Sequence, residues 1–554
     1  MLKELTTRKS RVMAGLVAGA LGLTLGAPTA EAGGFDMPGI GTRGLGRAGA
    51  YNVRADSALA LHLNPANLAR LSGVNVELNV HVASLQSCFD RNGTPTRDGE
   101  LNDEGGVEGT RGNENDTPGN ASDFGNPSDY ADIEYPEVCN NAGLFPIPQM
   151  ALSFRPHDRI GIGIGLIAKN NIGHRSFGAA SGANIGTYEV PGAPTGRLPV
   201  SSRYDVIEAN VLLAFLAVGA GVEIHPRLRV GATFGWGYAS TGFLTAVAPV
   251  QSQDFARDII AEVDAHDLFV PRVAVSVAAE PVDGLELMAG FTWTADVKAS
   301  GDLNLRPVFW GNIDDQVTQP RLPNDEGWED VTYPVNLVAP QTSVVSFGAR
   351  YAMARAGART TSDRVAGVAA PTLAEGEVDR PFDPMRDEVF DLELDVVVTL
   401  GSRVDTFNVV SSPVEGQRLV SGVLTLPSPP PINLPHNWKT QVMVALGGDV
   451  NVLPEVLALR WGLVYESHGV EAGYERLDFT PWQLFGGSFG MTLRVQRFEL
   501  GLGYMHTHYF TVNNSNSEAR VLAPSAAGPG YVINAGRFTA SANLVSFGLS
   551  YRFK

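Results

Sequence analysis

The sequence predicts an all-β transmembrane barrel of about fourteen antiparallel strands, with an N-terminal hatch (plug) segment in its lumen. Three observations predict it: an export signal with no later apolar helix, strands of alternating polarity that recur to the C-terminus, and connections whose lengths sort by parity. The chain has 554 residues, a formal net charge of −18 and 18% charged residues, below the roughly 25% of an ordinary soluble domain. The acidic balance argues against a nucleic-acid partner, because phosphate binding needs basic surface. Two cysteines exclude a disulfide-dense scaffold and most thiolate metal sites.

Residues 1–32 read as a secretory signal peptide. Lys3, Arg8, Lys9 and Arg11 form a positive region, Val12 to Ala27 is apolar, and Ala30-Glu31-Ala32 is a small-x-small pattern. Cleavage is expected after Ala32. An N-terminal anchor is the alternative, but the apolar core is short against the ~20 residues of a helical span. Losing four bases and two acids with the signal takes the charge from −18 to −20. Past Ala32 the longest apolar run, Val211 to Val222, has 12 residues. An exported chain of this kind crosses a membrane only with strands, which places it in the outer membrane of a Gram-negative bacterium.

Residues 33–73 do not fit a strand. Gly33 to Ala50 is glycine-rich and turn-prone. Asp56 or Ser57 can cap a short helix, and Asn64-Pro65 suits the start of a second. About forty residues are too few for a core of their own, so this segment is expected to fill the lumen rather than hang below it.

From Val74 to Val82, Val74, Val76, Leu78, Val80 and Val82 share one face, and Asn75, Glu77, Asn79 and His81 the other. Period two with one apolar side means a strand. Fourteen such segments cover 74–86, 145–156, 159–172, 203–224, 229–242, 266–281, 284–302, 341–354, 387–409, 438–450, 456–468, 484–495, 497–510 and 541–553. Odd gaps are long, such as 87–144 and 303–340, whereas even gaps are mostly tight, such as His157-Asp158, Val282-Asp283 and Gln496. Outer-membrane barrels sort their loops in this way; a soluble sandwich does not. One even gap, 355–386, is long, and the sequence assigns it no role beyond a periplasmic insertion. Gly161, Gly163 and Gly165 alternate with Ile160, Ile162 and Ile164; these glycines leave lumen volume, let something pack close, or are merely tolerated. The last strand carries Val545, Phe547, Leu549, Tyr551 and Phe553 on one face. It resembles the terminal signal read by the barrel assembly machinery, although Lys554 follows where the usual last residue is Phe.

Phe35, Gly44-Leu45-Gly46-Arg47-Ala48, Ala55-Asp56 and Asn64-Pro65-Ala66 resemble the N-terminal hatch of the FadL/TodX family, outer-membrane transporters of long-chain fatty acids and other hydrophobic compounds. The resemblance extends over nearly all of the mature chain. It implies a plugged fourteen-stranded barrel, with hydrophobic ligand entering from outside, binding near the hatch N-terminus at Gly34, Phe35 and Met37, and leaving sideways through a gap made by a kink in the third strand, here 159–172. Phe35 can instead anchor the hatch to the wall. Asn64, Pro65 and Ala66 are expected to hold hatch geometry. Arg47 and Arg54 are expected to pair with lumen carboxylates such as Glu77 or the row Asp391, Glu393 and Asp395; binding the carboxylate of a fatty acid is the alternative.

Cys88 and Cys139 end one long loop with thirteen Asp/Glu and three Arg from one cysteine to the other. In an exported chain they suggest a disulfide; two free thiols are the alternative. The acidic run 103–120 lacks calcium-loop spacing and reads as solvated, although it suits divalent cations that bridge lipopolysaccharide phosphates. No cofactor or resident metal is expected, and no nucleotide-binding loop drives transport. Two other classes were weighed. An outer-membrane lipid hydrolase would draw on Ser467, His468, His506 or His508, but no Gly-x-Ser-x-Gly elbow accompanies them. A non-specific porin conflicts with a plug.

Overall fold

The computed structural model describes residues 38–93, 134–168, 174–179, 185–190, 197–247, 258–307, 331–368, 382–415, 419–421, 424–426, 429–524 and 531–553. Fourteen strands form a closed antiparallel ring. They are β1 (Val74–Arg91), β2 (Phe145–His157), β3 (Ile160–Ala168), β4 (Glu208–His225), β5 (Leu228–Val247), β6 (Ile259–Val282), β7 (Leu285–Thr294), β8 (Ser343–Ala354), β9 (Glu388–Leu400), β10 (Gln441–Leu453), β11 (Leu457–Glu466), β12 (Leu484–Val495), β13 (Phe498–Tyr509) and β14 (Gly536–Phe553). Each pairs with the next, and β14 closes on β1 from Val74↔Phe553 to Arg91↔Gly536. Closure leaves no unpaired edge.

Alternation decides which face is which. Val76 and Leu78 of β1 point outward and stay exposed, while Asn75, Glu77, Asn79 and His81 are buried inside. Trp236, Phe489 and Phe547 continue the outer apolar band. The lumen is not empty: residues 38–73 lie in it, and their polar atoms meet the polar inner wall.

Two expected strands are shorter than their alternation. In 284–302, β7 ends at Thr294 and the chain resumes as Val297–Pro307, which pairs with the upper part of β6 and with Val331–Ala339. In 387–409, β9 ends at Leu400, a 3-10 turn spans Gly401–Arg403, and Thr406–Ser411 joins Val331–Ala339 instead of the ring. Alternation continues across both breaks because it reports burial on one face, not membership of the barrel.

The hatch has little regular structure: one turn of helix at Gly41–Leu45, another at Ala60–Leu63, and a 3-10 helix at Pro65–Arg70. Neither Asp56 nor Ser57 caps Ala60–Leu63, whose N-cap is Leu59. Asn64 does not cap with its side chain either. Its Nδ2 donates to the Asn52 carbonyl at 2.9 Å, and its Oδ1 accepts from Ser276 Oγ at 2.8 Å, so it ties the hatch to itself and to β6.

The glycines on β3–β5 explain the fit. A Cβ on Gly161 would sit 1.9 Å from the Leu68 carbonyl oxygen, one on Gly221 2.4 Å from the Pro65 oxygen, and one on Gly231 2.3 Å from the Ala66 nitrogen. The hatch backbone therefore rests directly on a wall stripped of side chains. The expected strand 159–172 is seen as Ile160–Ala168, paired throughout with β4 and, across one register shift, with β2 as far as Gln149↔Ile167; residues 169–173 lie outside the described ones. The expected signal peptide also lies outside them.

Gly161→Val tests this contact. It should unseat the 3-10 helix and speed limited proteolysis within residues 38–73, while heat-modifiable migration shows an intact barrel. Unchanged protection of the hatch would contradict the packing argument.

Candidate functional site

The site begins with the charges that seat the hatch. The carboxylate row on β9 faces inward, as its alternation requires. Arg47, fully buried, donates to Asp391 at 2.9 Å, Glu393 at 3.0 Å and Asp449 of β10 at 2.7 Å. Its Nε donates to the Ala50 carbonyl at 2.6 Å. Arg54 reaches Asp391 at 3.0 Å and Asp449 at 3.1 Å. Glu393 also accepts the Val53 N–H at 2.7 Å, and Asp395 accepts those of Tyr51 and Asn52 at 3.0 and 2.9 Å. Hatch backbone and hatch arginines thus satisfy one acidic row. Glu77, the other expected partner, accepts from Leu59 N at 3.4 Å and Asn79 Nδ2 at 3.0 Å. Sequence reading missed Asp449, Arg460 and Arg350. Arg460 binds Asp449 at 3.0 Å and Arg350 binds Glu286 at 3.2 Å; each is a lone charge in an apolar-looking strand, which is the signal available for them.

Two cavities lie above the hatch. The upper, an apolar cleft on the long-loop side, is lined by Leu213, Phe243, Val263, Leu337, Phe407 and Phe479 among others, and Asp478 is its one charged lining residue. The lower is mixed: Pro38, Gly39, Ile40 and Leu63 of the hatch face Arg272, Thr294, Thr342, Thr399 and Glu466 of the wall. Neighbouring residues line both, with Thr294 below and Val297 above, and Thr342 below and Gln341 above. The two cavities therefore follow one another down the lumen.

Loop residues fix the upper cleft. His436 Nε2 meets Asp478 at 2.9 Å, and its ring stacks 4.0 Å from Phe407. Arg476 pairs with Asp205 at 2.7 Å and with Asp478 at 3.4 Å. Burial pushes the Asp205 carboxyl up to about 6, against the pull of Arg476. Burial acts on Asp478 too, but His436 and Arg476 outweigh it and hold that carboxyl well below the usual range. None of these loop residues stood out in the sequence, because they come from separate loops joined only by folding.

β2 pairs with β1 up to Phe145, and its described pairing with β3 runs to Gln149↔Ile167. Pro146 and Pro148 in this stretch offer no N–H. The hatch reaches both strands: Gly41 N donates to Gln149 Oε1 at 2.7 Å, and Ile40, Ala58 and Leu59 pack with Ala151 and Ile167.

Of the expected ligand contacts, Gly34, Phe35 and Met37 lie outside the described residues; Pro38, next in sequence, lines the lower cavity. Asn64, Pro65 and Ala66 lie on the glycine wall, away from that cavity's lining. Cys88 and Cys139 form a disulfide across paired strands. The histidines weighed for hydrolysis are spread out: His506 faces outward against Asn543, His468 binds Glu475 at 3.1 Å, and Ser467 Oγ accepts the Val442 N–H.

These features define a class: a plugged barrel whose cavities end at the hatch. No family model matches the chain, and no curated protein does. Among solved structures it is similar to a FadL homologue of Pseudomonas aeruginosa, at 13% identity and TM-score 0.61, over 94% of this chain and 100% of that one. It is also similar to the toluene transporter TodX of P. putida (13%, 0.54, 94% and 99%) and the toluene transporter TbuX of Ralstonia pickettii (12%, 0.52, 94% and 99%). The fold is that of the FadL/TodX-type barrels.

Replacing Arg47 by Met leaves Asp391, Glu393 and Asp449 short of a buried cation. A loss on the order of 3–5 kcal/mol in hatch seating is expected, read as a lower denaturant midpoint for hydrogen exchange in residues 41–56, with Arg47→Lys falling between. Equal midpoints for Met and wild type would refute the seating role.

Proposed function

We propose that this protein is an outer-membrane channel for passive transport of hydrophobic small molecules, either hydrocarbons or long-chain fatty acids. Cargo enters the apolar cleft from outside, descends to the lower cavity beside the hatch N-terminus, and leaves sideways into the bilayer beside β3. The observation that carries this reading is an apolar cleft with one charged residue among its described lining residues, above a cavity floored by the hatch. An oily molecule crosses hydrocarbon readily but not the lipopolysaccharide leaflet, so it needs an apolar pocket and a side door rather than a water-filled pore. Burial of each CH₂ favours binding by ~0.8 kcal/mol. Release must undo that gain, and a hatch whose first residues touch the cargo does so by shifting between seated and displaced states.

Among the described residues the upper cleft has no Lys or Arg in its lining, and a carboxylate stripped of water against that lining would lack a partner. That favours uncharged cargo at the entrance. Arg272 in the lower cavity is the group that supports the fatty-acid reading. Outer-membrane lipid and lipopolysaccharide surround the barrel in this reading, the barrel assembly machinery reads its last strand, and the signal peptide leaves after Ala32. Neither catalysis nor open diffusion is assigned: a hydrolase needs a Ser–His pair, and a porin needs an unfilled lumen.

Deleting residues 33–36 should abolish uptake of hydrophobic compounds by whole cells, with barrel amount and heat-modifiability unchanged. Wild-type uptake by the truncated protein would remove the hatch N-terminus from the binding step.

A further inference from the structure

The wall of the lower cavity carries an unusual set of side chains for a channel whose cargo is oily. Three adjacent strands, β7, β8 and β9, present Thr292, Thr294, Thr342, Ser346 and Thr399 to it. Alternation puts them there. Phe291 and Trp293 of β7 and Phe347 of β8 are exposed on the outer face, so the residues beside them point inward. The ladder sets their spacing: Thr292 stands opposite Val344, and Val344 opposite Thr399. Adjacent strands lie about 4.8 Å apart, and alternate residues of one strand about 7 Å apart. The hydroxyls therefore surround Val344 within reach of one small ligand.

The protein does not use these hydroxyls itself. Thr294, Thr342 and Thr399 are 2%, 4% and 8% exposed. Neither they nor Thr292 makes a side-chain hydrogen bond to another described residue. Ser346 Oγ meets only the Met288 sulfur, at 3.9 Å. On the facing hatch, by contrast, the Tyr51 hydroxyl is taken up by Asp56. Valine has nearly the shape of threonine and suits a strand as well, so the strands themselves do not call for the hydroxyls.

A hydroxyl donates and accepts, and it rotates to suit its partner. Between cargoes, water satisfies it. A bare hydrocarbon displaces that water and replaces none of its bonds, whereas an oxygen on the cargo restores them. Charge does not single out an anion. Arg272 lines the cavity on the β6 side, opposite Thr294 in the ladder, and Glu466 lines it on the β11 side. A carboxylate there gains one attraction and meets one repulsion, and the Arg272 guanidinium also lies 5.8 Å from the Phe215 ring. An uncharged oxygen meets no such conflict.

We propose that the lower cavity binds the uncharged oxygen end of an amphiphilic cargo, an alcohol or a ketone, through Thr292, Thr294, Thr342 and Thr399. It thereby discriminates against the bare hydrocarbon and the fatty-acid anion. This rests on the transport reading above and adds a preference to it.

The test is binding of radiolabelled 1-decanol, decane and decanoate to the purified full-length barrel at about pH 8, where decanoate is ionised. The unaltered protein should bind decanol more tightly than decanoate. Combining Thr292→Val with Thr399→Val should lower the ratio of decanol to decane affinity by about tenfold, through weaker decanol and tighter decane binding, with heat-modifiable migration intact. If that variant fails to insert, Thr342→Val should lower the same ratio, by less. An unchanged ratio in a folded variant, or tightest binding of decanoate by the unaltered protein, would overturn the preference and leave the transport reading standing. Binding of none of the three would sink the transport reading, and the preference with it.

Discussion

The structure depends on the neutralisation of one acidic row inside a closed ring. Asp391, Glu393 and Asp395 project from β9 into the lumen because alternate residues of a barrel strand must point inward. Buried carboxylates without partners would be expensive. Arg47, Arg54 and the N–H groups of Tyr51, Asn52 and Val53 supply those partners. The hatch is therefore part of the barrel's electrostatic balance as well as an obstruction within it.

That seating makes the opposite wall intelligible. A segment with two single turns of helix and one 3-10 helix cannot bury much apolar surface by itself. It gains contact by lying backbone-first on Gly161, Gly221 and Gly231, where no side chain holds it off. Charge fixes the hatch against β9 and β10, while shape fixes it against β3 to β5. The lower cavity survives between these two zones, bounded by Pro38, Gly39 and Ile40, the described hatch residues nearest its N-terminus.

In the proposed reading the same layout sets where cargo can go. Cavities follow one another from the apolar cleft to the hatch. In the proposed reading the hatch start acts against β2 and β3, through the Gly41–Gln149 bond and the packing of Ile40 on Ile167.

Much of this was legible along the chain. Each of the fourteen ring strands overlaps one alternating segment, and the parity of loop lengths gave the sense of the ring, because both are local properties that survive in a linear string. The arginines of the hatch and the acidic row on β9 were also visible as unusual charges in their settings. What the chain could not tell was which would meet: Arg47 contacts Asp391 and Asp449 across separations of 344 and 402 residues, and only ring closure brings them together. Nor could it separate the glycine readings, since an inward glycine looks the same whether it makes space or receives a neighbour's backbone. The upper cleft belongs to the tertiary structure alone, for it is made by residues whose spacing carries no period and whose proximity exists only once the cylinder has closed.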